Sequence, residues 1–251
     1  MVDIVQTSKE GNPGIKINVS FLPSEIGSTD LANTVCIVLD IFRATSSIVT
    51  AVANGCEAIF PVLSVEEAHN LAQQKGQCLL AGERQSIKID GFDLGNSPYD
   101  FSRDVVIGRQ IVMTTTNGTA AIRATEGACR TLIGSFLNAE AVCQQARQSS
   151  NDILIVCAGT ECRFSLEDAL CAGLLVELLS RGETQAELTD AAYAALFMYK
   201  QTHGSLAAAA GSSRNGRRLN ALGRGCDIEY CLRTNVLGVV PEYKEGRICG
   251  I

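Results

Sequence analysis

Four segments of the chain gather residue types suited to chemistry on an anion. Directly after the apolar run Val35-Cys36-Ile37-Val38-Leu39 come Asp40, Arg43, Thr45, Ser46 and Ser47. A carboxylate, a guanidinium and hydroxyls at a strand-to-helix turn suit Mg²⁺ and a phosphate, because helix N–H groups and the helix dipole favour negative charge. An Asp at such a turn also serves as a plain helix cap, so both readings stand. One phosphatase class needs a second Asp two residues after its nucleophile. Phe42 stands there instead.

The second segment runs from Gly82-Glu83-Arg84 to Asp90-Gly91-Phe92-Asp93-Leu94-Gly95-Asn96-Ser97-Pro98. It combines acids, an amide and glycines that allow close backbone approach to a ligand, in a long loop of the kind that is often functional; a plain surface turn is the other reading. The third is Met113-Thr114-Thr115-Thr116-Asn117-Gly118-Thr119, uncharged, whose hydroxyls and N–H groups could hold an anion. Thr-rich strand ends are also ordinary structure. The fourth runs from Cys157 to Asp168. Ser165 with Asp168 reads as a helix-start box, and Glu167 and Asp168 fall in the first turn. Cys157 and Arg163 have the Cys-x5-Arg spacing of a loop whose thiolate attacks phosphorus, but no His precedes Cys157 to lower its pKa. His69 and His203 lie in polar surroundings.

Positioning these segments requires alternating strands and helices. Strands are expected at Ile15–Phe21, Val35–Leu39, Ile59–Leu63, Cys78–Ala81, Ile111–Met113, Arg130–Ile133 and Ile153–Cys157. Helices are expected at Thr45–Asn54, Val65–Lys75 behind a Ser64/Glu67 capping box, Gly118–Ala124, Ala139–Gln148 and Leu166–Leu179. The order repeats. Leu39-Asp40 through Ile48 lies over Met113-Thr114 through Ile122, Cys56–Phe60 over Cys129–Ile133, and Leu80–Glu83 over Cys157–Thr160. The expected architecture is a single three-layer α/β/α domain over residues 1–251, with a mostly parallel or mixed sheet. Two related halves, 35–110 and 111–185, would build it. A mainly helical cap over 186–251 would follow, including a helix at Glu187–Gln201 and an irregular tail around Pro241 and Gly246.

Composition narrows the function classes. The 251-residue chain carries a net charge of −6 with no long basic run, which argues against nucleic-acid binding. Apolar runs fall short of a membrane span, and the N-terminus lacks signal-peptide character. Eleven scattered Cys without a Cys-x-x-Cys pair, beside two His, argue for free thiols in the cytoplasm over a zinc site. A homo-oligomer stays open.

Taken in order, the stretches Leu39–Ser46, Gly82-Glu83-Arg84, Gly91–Pro98, Thr114–Thr119 and Cys157–Asp168 resemble the 2-phosphosulfolactate phosphatase family. A looser match runs through Ser213, Gly216, Arg217, Leu219, Gly223 and Asp227. The resemblance implies a Mg²⁺-dependent hydrolase of coenzyme M biosynthesis, splitting 2-phosphosulfolactate, or a related 2-phospho acid, into sulfolactate and phosphate. The chemistry of such a substrate makes Asp40 and Asp168 the leading expected Mg²⁺ ligands, with Glu83 next, and these three with Arg43 the expected catalytic set. Arg43, Thr45, Thr115, Asn117 and Ser165 are expected around the phosphate, and Arg84, Asn96 and Arg217 around the sulfonate or carboxylate. The competing readings are a metal-independent phosphatase using Cys157 and a non-catalytic anion-binding protein.

Overall fold

The structure is a computed structural model that describes residues 14–27, 30–149, 151–181 and 186–251. The N-terminal residues read above for a targeting signal, residues 182–185 of the second expected half, and the side chain of His203 lie outside the described residues.

Alternation along the second strand, β2 (Thr34–Leu39), shows how the layers form. Val35, Ile37 and Leu39 face one core with α5 (Ala139–Arg147), α6 (Leu166–Leu179) and α7 (Asp190–Thr202). Cys36 and Val38 face a second core with α1 (Ala44–Ala53), the short α3 (Arg103–Val106) and α4 (Gly118–Arg123). A period of two along the strand therefore feeds both faces, as expected of a sheet buried between helices. On the far half, α2 (Val65–Lys75) covers Phe60 and Val112 in a third, smaller core.

Among the described residues the sheet has eleven strands. The other nine are β1 (Lys16–Ser20), β3 (Ala58–Pro61), β4 (Cys78–Arg84), β5 (Ile87–Lys88), β6 (Gln110–Thr114), β7 (Arg130–Gly134), β8 (Asp152–Cys157), β9 (Glu187–Leu188) and a C-terminal pair, β10 (Pro241–Lys244) and β11 (Arg247–Gly250). Their order is β5-β4-β6-β3-β11-β10-β7-β2-β8-β1-β9. Strands β4, β6 and β3 are mutually parallel, as are β7, β2, β8 and β1. The segments paired in the expected repeat occupy corresponding places, β4-β6-β3 on one side and β8-β2-β7 on the other. Each expected half thus has its first strand, β2 or β6, in the opposite side of the sheet.

The tail is the main departure from expectation. It is not irregular: β10 and β11 form an antiparallel hairpin in the centre of the sheet, joining β7 to β3. The turn is Glu245-Gly246, with φ of 52° and 78°, the double positive φ of a two-residue hairpin turn. Pro241 opens its strand, where its missing N–H does least harm. Before the hairpin, α7, α8 (Leu206–Gly211), α9 (Arg214–Ala221) and α10 (Gly225–Cys231) follow the short β9, and a stretch without helix, residues 233–240, leads into β10. No helix among the described residues is long and apolar enough to cross a membrane.

Candidate active site

Asp40 follows β2 and is 5% exposed. Its backbone N–H donates to Thr45 Oγ1 at 3.0 Å, and the same hydroxyl donates back to the Asp40 carbonyl oxygen at 3.1 Å. This clasp aims the first turn of α1 at the Asp40 carboxylate, which accepts the Ala44 N–H. Thr45 is therefore part of the scaffold and not a ligand group. The start of α4 approaches from the opposite side. A Cβ on Gly118 would lie 2.5 Å from Ala44 Cβ and 2.7 Å from Asp40 Oδ2, so only glycine lets the two helix starts meet there.

Glu83, near the end of β4, is the second acid. Its Oε1 accepts the Thr116 N–H at 2.8 Å and its Oε2 the Ser86 N–H at 2.6 Å. These bonds hold the carboxylate toward Asp40. Burial, with Glu83 and then Glu167 nearby, pushes the Asp40 carboxyl up to about 7. Arg43 closes one wall. It is 3% exposed, its Nη1 is 2.5 Å from Asp227 Oδ2, and its Nη2 donates to the Ser86 carbonyl at 2.9 Å. Asp227 also accepts the Ser97 hydroxyl at 2.7 Å, which links α10 to the loop that carries Asn96 in the cleft wall.

One cleft is thus lined by Asp40, Arg43, Glu83, Asn96 and Asn117 from the expected set. Phe42, Ser86, Thr116, Asn215 and Arg218 complete it. Four expected residues do other work. Arg217 is exposed and donates to the Ser212 carbonyl, while its neighbour Arg218 faces the cleft. Thr115 Oγ1 accepts the Thr119 N–H at 3.1 Å in a local cap. Ser165 Oγ shares a 2.8 Å hydrogen bond with Thr160 Oγ1. Arg84 donates to the Glu83 carbonyl at 2.8 Å and to Thr114 Oγ1 at 3.0 Å, tying β4 to β6.

Asp168 is equally engaged. Its Oδ1 accepts the Ile41 N–H at 2.8 Å and its Oδ2 the Gly159 N–H at 3.1 Å, so it pins the loops after β2 and β8 together. The expected helix-start box is absent, because the Ser165 side chain makes no capping bond and Asp168 reaches across instead. Burial first, then Glu167 and Asp40, hold the Asp168 carboxyl well above the usual carboxylate range.

Glu167 is the acid that sequence reasoning left aside. It is 1% exposed, and burial raises its carboxyl against hydrogen bonds from Ser213, Ser165 and Asn215. Its Oε1 has no hydrogen-bond partner, and neither has Asn96 Oδ1 in the cleft wall. Buried oxygens are nearly always partnered, and the Asn96 orphan borders the cleft beside Asp40 and Glu83, where a cation or donor would satisfy it.

Those orphan oxygens test the fit of Mg²⁺. Among the described residues no group of three or more His, Cys, Asp or Glu is set to hold a metal by itself. Mg²⁺ does not need such a cage. It commonly takes one or two carboxylates, keeps waters and shares substrate phosphates. Asp40 and Glu83, with Asn96 Oδ1 as a neutral oxygen, fit that demand.

Cys157 does not fit a nucleophile. It is 1% exposed in the core, and burial and then Asp168 hold its thiol well above the ordinary range. A nucleophilic cysteine needs the opposite setting, electropositive and partly open. Arg163 is exposed in a turn closed by hydrogen bonds between the backbones of Thr160 and Arg163, so no phosphate loop forms.

Acids, amides and guanidinium groups meeting at strand-to-helix turns of a three-layer α/β fold suit an anionic ester, and the chain is a phosphoric monoester hydrolase. The family model described as 2-phosphosulpholactate phosphatase matches residues 20–246, and the chain belongs to that family. A protein of Clostridium acetobutylicum named "Probable 2-phosphosulfolactate phosphatase" is 40% identical over 235 residues, 93% of this chain and 100% of its own. One of the same name from Symbiobacterium thermophilum is 40% identical over 221 residues, 87% of this chain and 95% of its own. Another, from Clostridium beijerinckii, is 35% identical over 236 residues, 93% of this chain and 99% of its own.

Proposed function

We propose that the chain is a Mg²⁺-dependent phosphatase that hydrolyses 2-phosphosulfolactate, or a close 2-phospho acid, to the 2-hydroxy acid and phosphate. The observation that supports this most is the meeting of Asp40 and Glu83, from different strands, beside Arg43, Asn96, Asn117 and Arg218. Asp40, Glu83 and Asn96 would hold Mg²⁺, which when bound neutralises phosphoryl oxygens and favours attack by water. Arg43 and Arg218 face the remaining phosphate charge, with the Asn117 amide and Thr116 at the edge.

Water attacks phosphorus as the bond from phosphorus to the C2 oxygen breaks. The Asp40 carboxylate takes one proton from the attacking water and later gives it up to solvent, while the departing C2 alkoxide takes a proton from solvent and leaves as the alcohol. Phosphate monoesters hydrolyse so slowly alone that enzymes reach accelerations of about 10²¹-fold. Most of that must come from charge stabilisation in a fixed site. Two carboxylates fixed by backbone N–H bonds and an Arg locked by Asp227 supply such a site.

Eleven free thiols support a reducing, cytoplasmic setting, and the step would serve coenzyme M biosynthesis in a cell that makes that cofactor. The test is phosphate release from a panel of 2-phosphorylated three-carbon acids, with Mg²⁺ and with EDTA. Turnover of 2-phosphosulfolactate only with the metal is expected. Equal turnover in EDTA would reject the metal, and no turnover of any member would reject the substrate class.

A further inference from the structure

We infer that the hollow beside the reacting cleft, walled by Lys88 and Arg224, is the subsite for the sulfonate end of the substrate. This rests on the phosphatase reading above and extends it to the part of the substrate that does not react.

Space is the first argument. The reacting cleft leaves an open volume of about 10 Å³, roughly what one water needs. A three-carbon acid bearing a phosphate, a sulfonate and a carboxylate must extend beyond it. The adjoining hollow offers about 410 Å³ and shares Arg43, Ser86 and Asn96 with the cleft as a common wall. A phosphoester placed against Asp40 therefore has a neighbouring chamber for its tail, and buried Arg43 stands at the junction.

Charge is the second. Lys88 and Arg224 are both exposed and both line the hollow. Among the described residues neither forms an ion pair. Among the described residues Lys88 Nζ reaches only the Asp93 carbonyl, at 3.4 Å, and the Arg224 side chain has no hydrogen-bond partner. Two carboxylates, Asp93 and Asp100, line the same hollow, and each spends one oxygen on backbone N–H groups. Asp93 Oδ2 accepts the Leu80 N–H at 2.8 Å, and Asp100 Oδ2 accepts the N–H groups of Gly95 and Ser97 at 3.1 and 3.2 Å. Arg218, on the other wall of the cleft, is already held by Glu161 at 2.8 Å. The uncommitted cations are thus on the Lys88 side. A sulfonate presents three oxygens in a tripod, which a Lys point charge and an Arg fork can share.

The test compares two substrates that differ by the sulfonate, 2-phosphosulfolactate and 2-phospholactate, with wild type, Lys88→Ala, Arg224→Ala and the double variant. In the double variant the ratio of kcat/KM for the sulfonated over the plain substrate should fall at least tenfold, mainly through KM. Lys88→Arg should recover much of the ratio. A ratio within twofold of wild type would overturn the inference. Calorimetric titration with sulfolactate is the second readout. Tenfold weaker binding by the double variant is expected, and unchanged binding, or none by wild type, would overturn the subsite. If wild type hydrolyses neither substrate, the phosphatase reading fails by itself, and the titration still decides the subsite.

Discussion

Replacing Asp40 by Asn should make the metal-free protein more stable at neutral pH while removing its activity. Asp40 is buried, and its carboxyl rises from 3.8 to about 7 because of burial and then the charges of Glu83 and Glu167. A raised acid means the folded state binds the proton more tightly than the unfolded state. The fold is then most stable below about pH 4, loses stability as pH climbs toward 7, and is level above that. At about 1.4 kcal/mol per pH unit, a rise from 3.8 to about 7 sets an upper bound of about 4 kcal/mol. Neighbouring acids share the same protons, so a gain of about 2–4 kcal/mol is expected. Asn keeps an acceptor for the Ala44 N–H and carries no charge. For a chain of this size that gain shifts Tm by roughly 4–16 °C. The assay is thermal unfolding in EDTA at pH 4.5 and pH 8. The variant should exceed wild type only slightly at pH 4.5 and much more at pH 8. Added Mg²⁺ should raise the Tm of wild type more than that of the variant. A variant less stable than wild type at pH 8, or one with the same difference at both pH values, would refute the buried-charge reasoning.

Other perturbations test separate parts of the account. Gly118→Ala places a methyl 2.5 Å from Ala44 Cβ and 2.7 Å from Asp40 Oδ2, so urea unfolding should show a loss of about 1–3 kcal/mol and phosphate release should fall sharply. Asp227→Ala leaves Arg43 buried without its charge partner, which should cost about 3–5 kcal/mol. The double change Arg43→Met with Asp227→Leu should recover much of that stability but no turnover. Cys157→Ala should keep phosphatase activity. In the folded protein iodoacetamide should label the exposed Cys129, Cys162 and Cys226 and leave Cys157 unlabelled by mass spectrometry.

What could be read from the sequence depended on local signals. The bounds of α2 follow from Ser64, whose side chain accepts the Glu67 N–H, and from Gly76 with φ of 85° at the other end. The strands carrying Asp40 and Glu83 showed themselves as apolar runs ending in acids. The C-terminal hairpin gave no comparable signal. Its strands are four residues each, its turn is Glu-Gly and not the favoured Asn-Gly, and its place between β3 and β7 is decided by pairing across the chain.

The site shows the same division. Arg217 and Arg218 differ by one residue, hence by about 100° around a helix, and the expectation fell on the wrong one. Buried Asn215 and Leu219 mark the inward face of α9, and Arg218 lies three positions after Asn215 on it. That spacing was available in the sequence. Glu167 and Asp168 offered no such guide, because α6 is buried almost all round and has no polar face to set the phase. Which acid bonds the backbone and which keeps an unpartnered oxygen is settled only when the loops after β2 and β8 meet.

The central claim is that Asp40 and Glu83 act together on a metal and a phosphate. Phosphate release from 2-phosphosulfolactate by wild type, Asp40→Asn and Glu83→Gln, each titrated with Mg²⁺ from an EDTA-stripped start, tests it most directly. The account predicts Mg²⁺-dependent turnover by wild type, at least a thousandfold loss in Asp40→Asn, and a rise in the Mg²⁺ needed by Glu83→Gln. Wild-type turnover that ignores Mg²⁺, or a fully active Asp40→Asn, would contradict it.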